Sequence, residues 1–249
     1  MDLLFKFSAI LLSTGVWFYL LRRKDHFSPE PLLFLAKIMV LGGILSAIPA
    51  GLLNIAIEYF HSNSVINNLL IGFNEELCKL LAVTVLLKNQ TYFDEPVDGI
   101  IYAATLALGF ASVENIVYIN RYGLNALLPR HFISVPAHLS FAMIWGYGLS
   151  VAKFKHPQRS FALNLAPYFL SAALLHALFN FTIGSHPNQT DLVMVIILVT
   201  LLYRYGSYQA NTLLKYSPLR LAQECSACNA INTDNSAICH QCDRPLNLD

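Results

Sequence analysis

Residues 65–87 read VINNLLIGFNEELCKLLAVTVLL, an apolar run interrupted at its middle by Glu75, Glu76 and Lys79. Its length matches the roughly 17–25 residues that a helix needs to cross a bilayer. A charged side chain near the bilayer centre costs at least about 2.5 kcal/mol on insertion scales, so ionisable groups placed there usually face a polar cavity and work in it. The run therefore predicts a membrane helix that carries a functional site.

Further apolar windows lie on both sides, near Leu3–Leu21, Leu32–Tyr59, Asp98–Ile119, Phe132–Ala152 and Phe161–Ile183, with a seventh and shorter one at Leu192–Tyr205. Hydrophobic residues make up 55% of the 249 and charged residues 12%, a balance that excludes an ordinary soluble domain. The expected fold is an all-α polytopic membrane protein of about seven transmembrane helices in a bundle. Gly42, Gly43, Pro49 and Gly51 in the second window predict a kink or tilt, and close helix approach. The first window contains Lys6, lacks a small-residue cleavage pattern and is followed by Arg22, Arg23 and Lys24. It reads as a retained span, not a signal peptide. With no targeting presequence the chain fits a bacterial plasma membrane.

Basic residues accumulate on the cytoplasmic side of membrane proteins. Arg22, Arg23 and Lys24, Lys88, Lys153, Lys155 and Arg159, and Arg204, Lys215 and Arg220 follow alternate spans, whereas the opposite loops hold only Arg121 and Arg130. The N-terminus is expected outside and the C-terminal segment in the cytoplasm, provided the seventh window crosses fully. A net charge of +1, with its basic residues in short clusters between spans, gives no case for nucleic acid.

Three parts are expected: a helical domain over 1–209, a linker over 210–224 and a tail over 225–249. The tail carries Cys225-Ser-Ala-Cys228 and Cys239-His240-Gln-Cys242. Two C-x2-C pairs, each offering two thiolates from one tight turn, predict a tetrahedral structural zinc site, a four-cysteine zinc ribbon. So short a segment cannot bury enough core to fold unaided, and metal binding would supply the missing free energy. Four thiolates leave no open coordination position, so the ribbon reads as structural or as an adaptor for a cytosolic partner. His240 is a substitute ligand that the site does not need. Cys78 reads as a buried apolar thiol.

The spans also carry Glu114 and Asn115, His138, and His176 with Asn180. Counted from the outer helix ends at about 1.5 Å per residue, Glu75, Glu114, His138 and His176 share a layer roughly 9–15 Å deep. Scattered structural polar groups would not be expected to do so. Glu75 and Lys79 are i,i+4 partners while Glu76 turns about 100° away, which predicts one glutamate held by the lysine and the other facing a cavity. His138 and His176 could bind a metal, stabilise an oxyanion or join helices. With a glutamate they make the two-imidazole, one-carboxylate inventory of hydrolytic zinc sites, although HExxH spacing is absent. Asn180, one turn beyond His176, could orient its ring or contact substrate. Other histidines, His26, His61, His131, His156 and His186, fall in loops or at span ends.

In this order the residues resemble the PrsW family of intramembrane proteases. The resemblance runs from about Ile71 to Phe181 and rests on EExxK at Glu75, Glu76 and Lys79; on Asp98-Gly99 with Tyr102; on Gly109-Phe110 with Glu114, Asn115 and Tyr118; on Ser134 to His138 followed by Gly146-Tyr147; and on His176 with Asn180. It implies an endopeptidase acting on membrane-embedded or juxtamembrane substrates, as in release of sigma factors from single-span anti-sigma factors. The CAAX prenyl-protease and bacteriocin-processing group looks related but tends to show EExxxR, and position 80 here is Leu80. Two departures stand out: Asn180 occupies a position often filled by aspartate in such proteins, and the ribbon is an addition to the core pattern.

The expected activity is therefore peptide-bond hydrolysis in a water-accessible cavity. Glu75 or Glu76 is the general base, and His138 and His176 hold a second, catalytic zinc or stabilise the oxyanion. Lys79, Glu114, Asn115 and Asn180 support them. A transporter or channel using the same polar layer as a proton site, and a non-catalytic adaptor built around the ribbon, are the competing readings.

Overall fold

The computed structural model describes residues 3–61, 63–88, 91–155, 157–184, 188–218, 223–228, 230–232 and 238–245. His156, His186, Arg220 and parts of the expected linker and tail lie outside them. Helix α1 spans Leu3–Arg22. Leu32–Lys37 (α2), a π-helical turn at Ile38–Gly42 and Gly43–Phe60 (α3) run on as one rod. Then come α4 (Ser64–Leu87), α5 (Asp98–Tyr122), a short turn to α6 (Leu127–Pro129), a π-turn at Arg130–Ser134 and α7 (Val135–Ser150). After a π-turn at Val151–Lys155 follow α8 (Phe161–Ile183) and α9 (Gln189–Leu214).

Six of these rods, among the described residues, are long and apolar enough to cross a membrane. The seventh long helix, α4, has 24 residues, about 36 Å of rise, and Glu75, Glu76 and Lys79 are what interrupt its apolar run. The protein is thus an all-α polytopic membrane protein. The window expected to be short is a helix of 26 residues, because Asn188 and Asp191 close a capping box at its start and its polar second half, Arg204 to Leu214, still packs through Gly206, Ala210 and Leu213. It runs past the boundary expected at 209.

Core and surface follow from composition. Helices α5 and α7 are apolar on every side and buried over most of their length, as a helix at the centre of a bundle must be. The others present leucine, isoleucine and valine outward, as lipid-facing helices do. The second window contains a π-helical turn at Ile38–Gly42, and α3 packs against α5 just beyond it. There a Cβ on Gly43 would stand 2.5 Å from the Gly109 backbone, and one on Gly109 would stand 1.8 Å from the Met39 carbonyl oxygen, so only glycine permits this crossing.

Candidate active site

Helix α4 begins under an Asn63 cap, whose Oδ1 accepts from the amides of Val65 and Ile66. It crosses α8 at Gly72, where a Cβ would lie 2.7 Å from the Ala177 nitrogen. That close approach sets His176 of α8 beside the glutamates one turn further along α4. Helix α7 brings His138 and Trp145 to the same place, and α5 brings Glu114.

Glu76 is fully buried and saturated with donors. Its Oε1 accepts from Lys79 Nζ at 2.8 Å and from His176 Nδ1 at 2.7 Å, and its Oε2 accepts from Trp145 Nε1 at 2.9 Å. Glu75 differs. Its Oε1 accepts from Asn54 Nδ2 at 2.9 Å, while its buried Oε2 has no hydrogen-bond partner and lies 3.6 Å from His176 Nε2 and 3.9 Å from Lys79 Nζ. The lysine therefore holds Glu76, at i,i+3, more closely than Glu75, the i,i+4 partner expected. The reason is tertiary: Trp145 and His176 draw Glu76 inward, and the flexible lysine stem follows the better-fixed carboxylate.

Lys79 Nζ is also 2.9 Å from His138 Nδ1 and 4.1 Å from the centre of the Phe110 ring. On the other side of that imidazole, Nε2 lies 2.8 Å from Glu114 Oε2. Since an ammonium can only donate, His138 carries its proton on Nε2 and gives it to Glu114. Arg130 reaches Glu114 at 3.0 Å and Asn115 Oδ1 at 2.6 Å, and lies over the Tyr118 ring. The two imidazoles are 5.0 Å apart edge to face, and His176 stacks on Phe141.

Glu75, His138 and His176 offer ligand-type atoms that all lie within 4.8 Å of one another. Three carboxylates here meet two fixed cations, Lys79 and Arg130, so a further positive charge would be accommodated. Glu114 is the most exposed of them, with 22% of its side chain accessible. Of the residues picked from sequence, Glu75, Glu76, Lys79, Glu114, His138 and His176 form one cluster, and Asn115 joins through Arg130. The Asn180 side chain is not a hydrogen-bond partner of His176, whose Nδ1 is taken by Glu76. Sequence reasoning passed over Asn54, Trp145 and Arg130. Arg130 looked like a loop charge, and its place between Pro129 and the start of an apolar helix was the available signal.

In the tail, β1 (Gln223–Glu224) pairs antiparallel with β2 (Ile231–Asn232). Cys225, Cys228, Cys239 and Cys242 are free thiols whose sulfurs lie within 4.8 Å of one another. Cys225–Cys242 and Cys228–Cys239 are 3.6 Å apart, close to the edge of roughly 3.8 Å of a tetrahedron with 2.3 Å metal–sulfur bonds. Backbone N–H donors hold the Cys225 and Cys239 thiols below their ordinary pKa, while hydrogen bonds to the neighbouring thiols push those of Cys228 and Cys242 up. His240 bonds Asn232 instead.

Residues 30–204 match the family described as PrsW family intramembrane metalloprotease. The chain is 33% identical to Protease PrsW of Clostridioides difficile (strain 630) over 207 residues, covering 80% of this chain and 86% of that one. It is 31% identical to Protease PrsW of Oceanobacillus iheyensis over 191 residues, covering 74% and 87%, and 28% identical to that of Bacillus subtilis (strain 168) over 175 residues, covering 69% and 78%. No solved structure matches. The matched segment holds every clustered carboxylate and imidazole and ends before the four cysteines, and by that extent of likeness the chain belongs to the PrsW family of intramembrane proteases.

Proposed function

We propose that this intramembrane protease hydrolyses peptide bonds of membrane-anchored proteins with Glu75 as the proton-accepting base. The observation that carries this reading is the contrast between adjacent glutamates: Glu76 is held by three donors, whereas Glu75 keeps a buried oxygen without a partner beside two imidazoles. A base needs a free lone pair, and Glu75 Oε2 has one.

Glu76 is the positioning residue. It takes the Nδ1 proton of His176, which fixes the tautomer and turns the Nε2 lone pair toward Glu75. Lys79, 3.9 Å from Glu75, keeps a fixed positive charge beside the base. As the water oxygen bonds the scissile carbonyl carbon, its proton passes to Glu75. That proton then goes to the amine nitrogen as the C–N bond breaks, leaving a carboxylic acid, which keeps the second water proton, and an amine. A helical substrate must unwind first, because its carbonyls are internally hydrogen-bonded.

The donor set fits a metal. His138 and His176 would hold it beside the Glu75 carboxylate, whose unpartnered oxygen stays free to take the proton. When bound it polarises the carbonyl and acidifies water, which lessens the basicity asked of the carboxylate. His138 already engages both nitrogens, so ligation replaces either its Lys79 or its Glu114 contact. The four cysteines hold a structural zinc, which supports a folded ribbon in the cytoplasm where it can meet a soluble partner. The loop charges favour an external N-terminus in a bacterial plasma membrane, and the relatives are bacterial.

The test incubates purified protein with a panel of single-span membrane proteins, alongside Glu75→Gln and His176→Ala, and counts bound metal in a version whose ribbon cysteines are serines. Cleavage confined to the unmodified site, with about one residual metal per chain, is expected. Cleavage by Glu75→Gln at the unmodified rate would falsify the assignment, and a metal-free but active protein would leave the glutamate and remove the ion.

A further inference from the structure

A second group of buried carboxylates lies far from the first. Asp98 opens α5 and Glu114 lies sixteen residues later, about 24 Å along the helix. Around Asp98 the segment after α1 contributes Asp25 and Glu30, and the segment after α4 contributes the buried Glu95 and the exposed Asp94. Asp25, Glu30, Glu95 and Asp98 are 6%, 3%, 0% and 0% exposed, whereas acidic side chains in loops normally stand in water.

Each is partly satisfied. Asp98 Oδ2 accepts from the amides of Asp94 and Glu95, Asp25 Oδ2 accepts from the Glu30 amide and Arg22, and Glu95 accepts from the Ser28 amide and the Ser217 hydroxyl. The Tyr102 hydroxyl donates to Glu30 Oε1. Yet Asp25 Oδ1, Glu30 Oε2 and Asp98 Oδ1 are buried with no hydrogen-bond partner. The nearby cations do not reach them: Arg22 pairs with the other Asp25 oxygen, and Lys153 Nζ donates to the Phe93 carbonyl. Water could fill the missing hydrogen bonds but not offset several like charges taken out of solvent.

Two trios, Asp25/Glu95/Asp98 and Glu30/Asp94/Asp98, each bring their oxygens within 4.8 Å of one another. All-oxygen donor sets of this density select hard cations over zinc or copper. We propose that Asp25, Glu95 and Asp98, supported by Glu30 and Asp94, bind one divalent hard cation, Ca2+ or Mg2+, at the end of the bundle remote from the proteolytic centre. The ion would tie the segments after α1 and α4 to the start of α5. Through the Glu95–Ser217 hydrogen bond it would also fix the chain just beyond α9, where the cysteine tail departs.

The test uses the full chain in detergent with its cysteine site loaded, dialysed into metal-free buffer and titrated with CaCl2 or MgCl2. Equilibrium dialysis should give about one ion per chain for at least one of the two, with a rise in Tm. Both signals should fall at least tenfold in apparent affinity in Glu95→Gln and Asp98→Asn, and persist in Glu75→Gln, which separates this site from the proteolytic one. Should Asp98→Asn fail to fold, Glu95→Gln decides. No saturable binding of either ion up to about 10 mM, beyond the weakest protein calcium sites, overturns the proposal, as does binding unchanged in Glu95→Gln.

Discussion

Replacing Glu76 by glutamine should damage the fold, whereas the same change at Glu75 should damage only the chemistry. Lys79 is completely buried, with its ammonium 2.8 Å from Glu76 and 3.9 Å from Glu75. Removing one partner of a buried ion pair typically costs about 3–5 kcal/mol, because the other charge is stranded. Glu76→Gln strands the lysine and also weakens what Trp145 and His176 donate to, so a loss near the upper end is expected. Glu75→Gln keeps the oxygen that accepts from Asn54 and alters an atom that has no partner, so its cost should be about 1 kcal/mol or less. The gap of at least about 2 kcal/mol corresponds to roughly 4–8 °C in Tm for a chain of this size. Unfolding in detergent, followed by tryptophan fluorescence, measures it. Cleavage by the folded Glu75→Gln protein should fall by about 10²–10⁴, the usual worth of a general base. Equal destabilisation by the two substitutions, or a larger one at Glu75, would refute the division of labour.

Three other outcomes follow from the same contacts. Trp145→Phe keeps the ring and removes the donor to Glu76 Oε2, so it should cost roughly 2 kcal/mol and slow cleavage about tenfold through the looser His176, measured by the same unfolding and cleavage assays. Gly72→Val forces side-chain atoms into the α8 backbone at Ala177; overpacking of about 1–3 kcal/mol should accompany loss of activity as His176 shifts. Cys225→Ser with Cys239→Ser should remove about one zinc per chain by elemental analysis, with no change in the unfolding of the helical domain.

Much of the site was legible because charge inside an apolar run is conspicuous. Glu75, Glu76, Lys79, Glu114, His138 and His176 stand out against their spans, and a common depth is enough to predict that they meet. The roles of the two glutamates were not legible, since Trp145 and His176 choose Glu76 only after α4, α7 and α8 have packed around Gly72. Asn54 and Trp145 are neutral donors of a kind that spans often contain, so nothing in their letters marks them. Arg130 and the acids Asp25, Glu30 and Glu95 lie in segments that read as solvated loops, and burial alone gives them significance. The helical class came from length and hydropathy, whereas the full extent of α9 depended on packing of its polar second half.

Water must supply the atom that ends up on the cut chain, and Glu75 must take its proton. The direct measurement is single-turnover cleavage of a single-span membrane protein in H2-18O by the reconstituted enzyme, read by mass spectrometry of the new C-terminus. One 18O in that carboxylate, at a bond within or bordering the substrate span, with product formation slowed at least about 10²-fold for Glu75→Gln and His176→Ala, is the predicted result. Product formed by Glu75→Gln at the unmodified rate would contradict the account.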